Sequence, residues 1–81
     1  MGKRRKLRER IVSGRSDANI TFGDARTLLK SLGFTEHIEG GHFIYRMEGL
    51  PVRINIQPEG GKVKPYQVKQ IRKVLVDFGI E

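Results

Sequence analysis

An α+β fold with the order α-β-β-β-α is what this chain predicts, and three features point to it. Apolar residues recur at helical spacing in two stretches, one closing at Gly33 and the other at Gly79. Between them lie three short alternating segments, separated by the glycine-containing pairs Gly40-Gly41 and Glu48-Gly49. With 81 residues and no cysteine, the chain has room for one modest core and no disulfide staple to support it.

Each element has a local reason. Residues 1–19 read as a flexible basic arm and linker, with a short helical turn at Lys6–Val12 and a polar, glycine-containing joint after it. The domain is expected over 20–81. Thr21 followed by Asp24 resembles a capping box, and Phe22, Ala25, Leu28, Leu29 and Leu32 line one face of the first helix up to Gly33. Strands are expected at Phe34–Glu39, His42–Met47 and Leu50–Gln57. Pro58 to Lys64 reads as a loop. Pro65 suits a first helical turn, and Val68, Ile71, Leu75 and Phe78 share a face of the second helix.

Two helices with one apolar stripe each are most simply covered by one face of the sheet. Two-residue turns at both glycine pairs set Glu39 opposite His42, and in the second hairpin Tyr45 opposite Val52, Phe43 opposite Ile54 and His42 opposite Asn55. Ile38, Phe43, Tyr45, Val52, Ile54 and Ile56 then turn to the helices. The other face carries His37, Glu39, His42, Ile44, Arg46, Arg53, Asn55 and Gln57.

Composition narrows the chemistry. Without cysteine, thiol catalysis and Cys-based zinc sites are excluded, and the two histidines and scattered carboxylates give little basis for a metal site. No metal or small-molecule cofactor is expected. No apolar run is long enough to span a membrane and no secretory signal is evident, so a soluble cytoplasmic protein without membrane partners is expected. The net charge of +7 favours polyanions, yet residues 1–16 hold seven bases against Glu9 alone, while the other 65 residues carry nine bases and eight acids.

His42 is the candidate catalytic residue. Gly40 and Gly41 can take the positive φ angles of a tight turn, which fixes His42 at the start of a strand. An imidazole is the side chain suited to moving protons near neutral pH. On the expected register Glu39 and Asn55 flank it, Glu39 as an orienting carboxylate, while Arg46 and Arg53 are placed to stabilise charge on a phosphate. Such a set suits RNA, whose own 2′-hydroxyl is the nucleophile and needs acid–base help but no metal. His37, diagonal to His42, is a second candidate for proton transfer.

Three pieces carry a resemblance: Leu28–Phe34 (LLKSLGF), 40–46 (GGHFIYR) and 61–68 (GKVKPYQV). Over about Ile20 to Ile80 the chain resembles the HicA toxins of type II toxin–antitoxin pairs. The resemblance implies a fold like a double-stranded-RNA-binding domain, mRNA as substrate, endoribonuclease activity and a HicB-like antitoxin that covers the site. It also implies that His42 is catalytic and that Lys62 or Lys64 is the basic residue ahead of the last helix. Gly41 stands where that family has Ser or Thr. The alternatives from other classes are a non-catalytic RNA-binding module using the arm together with Lys62, Lys64, Lys69, Arg72 and Lys73, and a domain whose exposed sheet docks another protein.

Overall fold

The computed structural model describes residues 2–81. Helices α1 (Gly2–Ser13), α2 (Phe22–Ser31) and α3 (Pro65–Asp77) accompany a three-stranded antiparallel sheet of β1 (Thr35–Glu39), β2 (His42–Arg46) and β3 (Ile54–Ile56), the strands in that spatial order. A small second hairpin joins β4 (Pro58–Glu59) to β5 (Lys62–Val63). The expected α-β-β-β-α order runs from α2 to α3. Among the described residues no helix is long and apolar enough to cross a membrane.

The cap of α2 is as the sequence implies, with Thr21 Oγ1 accepting from the Asp24 N–H at 3.1 Å. Phe22, Ala25, Leu28 and Leu29 are buried from α2, and Val68, Ile71, Val74 and Leu75 from α3. Tyr45, Ile54 and Ile56 meet them from the sheet, each with no exposed surface. Phe78 falls just beyond the end of α3 and is exposed, so Val74 fills the place expected for it.

Turn chemistry explains the first hairpin. Gly40 and Gly41 have φ +55° and +85°, values at which a side chain is strained, and the two-residue turn pairs Glu39 with His42 as anticipated. The second hairpin differs from expectation by two residues. Tyr45 faces Ile54 and Phe43 faces Ile56, because β3 begins only at Ile54 and 47–53 form a longer loop that contains Pro51. Ile54 and Ile56 lie under the helices as expected, and Val52 does not. A slip of two preserves the face of every side chain. Val52 is left in the loop at 39 % exposure, and Ile38, at the far end of edge strand β1, is 53 % exposed. The 58–64 segment, expected as a loop, closes on Gly60-Gly61 as a second hairpin.

The basic arm requires the main correction. Residues 2–13 form a full helix, with Leu7 and Ile11 one turn apart and buried in the same core as α2 and α3. Its arginines reach carbonyls of the neighbouring segments: Arg4 donates to Ser31 O, at the end of α2, at 3.1 Å, and Arg8 to Ile80 O, beyond the end of α3, at 2.9 Å. The joint after α1 is pinned as well. Arg72 donates to Ile11 O at 3.1 Å and to both carboxylate oxygens of Asp17 at 2.9 and 3.1 Å, an ion pair that raises the pKa of Arg72. Its guanidinium passes so near Gly14 (φ +73°) that a Cβ there would lie 3.2 Å away.

On the inner face, α2 is tied to the sheet by charge. Glu36 accepts from Arg26 Nε and Nη2 at 2.8 and 2.9 Å and from the Tyr45 hydroxyl at 2.6 Å. The Arg26 bonds draw the Glu36 carboxyl down from 4.5 to about 2. Burial, and then the bond to Glu36, pushes the Tyr45 phenol above its usual range. Arg26 also lies 4.9 Å from the centre of the Phe43 ring, which meets Phe22 edge-on at 4.7 Å.

Candidate active site

His42 opens β2 on the face turned away from the helices, and its side chain is exposed. Its Nδ1 lies 3.3 Å from Asn55 Oδ1 and its Nε2 lies 3.4 Å from Gln57 Nε2. These contacts are long, but their chemistry is consistent. With the hydrogen on Nδ1, that nitrogen donates to the Asn55 oxygen and the Nε2 lone pair accepts from the Gln57 amide. Rotating the Gln57 amide would present its oxygen to a protonated Nε2 instead, so the same pair of side chains suits both charge states.

The register explains this arrangement. With Phe43 opposite Ile56, the next position places Gln57 across from His42 and Asn55 diagonal to it. Asn55 is therefore a partner of His42 as expected, although not its directly opposed one. Gln57, placed on this face by alternation but given no role, is the residue that sequence reasoning missed; the two-residue slip of β3 conceals it. Both amides are steadied from behind. The open edge of β3 is capped by α3, where Gln70 Oε1 accepts the Asn55 N–H and the buried Gln67 accepts the Gln57 N–H, each at 2.9 Å.

Other expected residues are distributed differently. Glu39 is opposite His42 in register, but its carboxylate lies 3.5 Å from His37 Nε2, so it does not orient His42. Both members of that pair are well exposed. Ile44, at the centre of the outer face, is only 8 % exposed and separates His37 from Asn55 as their common cross-strand partner. Arg46 closes β2 four residues from His42, about 13 Å at the usual strand rise. Arg46 and Arg53 sit together, but at the opposite end of the sheet face from His42.

Comparison with family models, curated proteins and solved structures finds no match. The chain's own geometry is therefore what bears on its function. Of the two lysines considered, Lys62 donates to Asn19 Oδ1 at 3.3 Å and lies opposite Glu59 in the small hairpin. Lys64 precedes the first turn of α3, its Nζ 6.0 Å from the centre of the Tyr66 ring. Because Gln67 of that same turn holds Gln57, Lys64 belongs to the end of the sheet that carries His42. Gly40 and Gly41 have open space where a Cβ would stand, so only their backbone angles require glycine, including at the position where Ser or Thr was the comparison residue.

Proposed function

We propose that this protein is an RNA endonuclease in which His42 moves the proton, with mRNA as substrate and a toxin-like role held in check by a HicB-like antitoxin. The observation that carries the chemistry is the exposed His42 ring with its Nδ1 3.3 Å from Asn55 Oδ1, since the tautomer that donates there leaves a lone pair on Nε2 at the outer face. The Gln57 contact to Nε2 is long enough for a substrate hydroxyl to displace it. Nε2 accepts the proton of a 2′-hydroxyl as that oxygen bonds to phosphorus, and the 5′-oxygen leaves and takes the proton back from the imidazolium. The products are a 2′,3′-cyclic phosphate and a 5′-hydroxyl. Lys64, ahead of the turn of α3 whose Gln67 holds Gln57, is the candidate to balance charge on the phosphate during this step. The antitoxin rests on the sequence resemblance alone, and a shallow face of this kind is one that a protein inhibitor could cover.

A second reading, an RNA-binding module without catalysis, is favoured by one observation: α1 is a cationic helix packed into the core of the domain through Leu7 and Ile11. Expression of wild type and His42→Ala, followed by growth and by gel analysis of cellular RNA, separates the two. Wild type is expected to arrest growth and yield fragments with cyclic phosphate ends, and the variant to do neither. Equal arrest by both proteins would remove His42 from the mechanism.

A further inference from the structure

Extending the β2–β3 register by one position sets Arg53 across from Arg46. Like charges directly opposed across strands repel, and an arrangement of this kind is usually relieved by a counter-charge. Here none is supplied: among the described residues neither guanidinium makes an ion pair or a side-chain hydrogen bond. Between them the 47–53 loop forms an open hollow lined by Met47, Leu50, Pro51 and Val52. Val52 is exposed, whereas Met47 and Leu50 pack partly against the core. The floor is thus apolar and anchored, and the rim carries two unpaired positive charges.

We propose that this hollow binds one unstacked nucleotide of a single-stranded RNA, its phosphate bridging Arg46 and Arg53 and its base resting on Met47, Leu50 and Val52. The proposal deepens the nuclease reading and rests on it for the direction of the strand, which would run along β2 from the phosphate at His42. The separation of about 13 Å along β2 places the hollow beyond the scissile phosphate, not at it. A base held against a side-chain floor must be out of its stack, which favours single strands over duplex. An acidic peptide without aromatic residues would satisfy the arginines but has no flat ring for the floor between them.

The test uses the full chain carrying His42→Ala, so that RNA survives, and follows binding of a fluorescein-labelled eight-nucleotide RNA by anisotropy over a range of salt. A labelled octaglutamate peptide serves as the competing ligand. Arg46→Ala with Arg53→Ala is expected to weaken RNA binding and to flatten the log–log salt slope by about 0.7, the value for one phosphate contact on a single strand. Val52→Ser is expected to weaken RNA binding with no change in slope. Unchanged RNA affinity and slope in the arginine variant would overturn the proposal, as would tighter binding of the peptide than of RNA. Cleavage of the same RNA by the protein with His42 intact is scored in parallel. RNA binding that depends on the arginines, without cleavage, leaves the hollow standing and refutes the nuclease reading.

Discussion

Replacing Glu36 by Gln removes one negative charge from the junction between α2 and the sheet while keeping the shape of the side chain. In the native protein that charge is held by Arg26 through two hydrogen bonds and by the Tyr45 hydroxyl, with Lys30 Nζ at 4.0 Å. Its pKa falls from 4.5 to about 2 in the folded state. An unfolded chain therefore takes up the proton near pH 4.5, whereas the folded chain resists it until about pH 2. The stability contributed by this carboxylate is complete above pH 4.5 and lost as the pH falls through that interval. About 1.4 kcal/mol per pH unit sets a ceiling of about 3 kcal/mol. Glu36 is only 12 % exposed, but Arg26 is 37 % exposed, and solvent screening lowers the expected value to about 1–2 kcal/mol. Urea unfolding of wild type and Glu36→Gln at steps between pH 7 and pH 2 measures it. The variant should be less stable at pH 7 by that amount, and the gap should close by about pH 2, because a protonated Glu and a Gln are nearly isosteric. Taking the difference between the proteins cancels the titration of the other carboxylates. A gap that stays constant across the range would mean that the loss at pH 7 comes from packing and not from the carboxylate charge.

Two further perturbations address the joints of the fold. Arg72→Met should lower stability by about 2 kcal/mol, since it frees a largely buried Asp17 and one carbonyl of α1, and hydrogen exchange across 13–19 should accelerate more than exchange in β2; equal acceleration throughout would show that the clip has no local role. Gly41→Ala places a side chain at φ +85° with no neighbour in its way, so a torsional cost of about 1 kcal/mol is expected in thermal unfolding, and no loss at all would mean that the turn adopts other angles.

Periodicity made most of the central fold legible. Thr21, the apolar stripes of α2 and α3 and the Gly40-Gly41 turn each act within a few residues, so their consequences are local and appear in the sequence pattern. The second hairpin was less legible because its register depends on which of several β-branched residues the helices select. Val52, Ile54 and Ile56 all alternate correctly, and only the requirement to fill the space beneath α2 and α3 chooses the last two. This non-local choice changed the surroundings of His42, bringing Gln57 into contact and moving Arg53 away to join Arg46 at the far end. The position of Glu39 shows a similar limit. Opposition in register brings two residues near each other, but Glu39 turns along its own strand to His37.

Only the turn at Lys6–Val12 of helix α1 was legible, and its full extent and docking were hidden by composition, since Leu7 and Ile11 are its only buried residues in a stretch dominated by Lys and Arg. Two anchors suffice because the arginines also bind the carbonyls of Ser31 at the end of α2 and of Ile80 beyond α3, so the charge that made the segment look like a tail helps to dock it. Packing and charge can be tested separately. Leu7→Ala with Ile11→Ala removes both anchors and should cost at least about 2 kcal/mol, a low value for buried truncations because a surface helix can adjust. Lys3, Arg5 and Lys6 make no hydrogen bond to the rest of the fold among the described residues, and Arg5 contacts only Glu9, at 3.8 Å. Changing these three to Gln should shift stability by no more than about 0.5 kcal/mol, yet reduce RNA affinity at low salt if α1 takes part in binding. A chain that tolerates loss of both apolar anchors without any change in unfolding would show that α1 is not part of the folded unit, and its arginines would then return to being free charge.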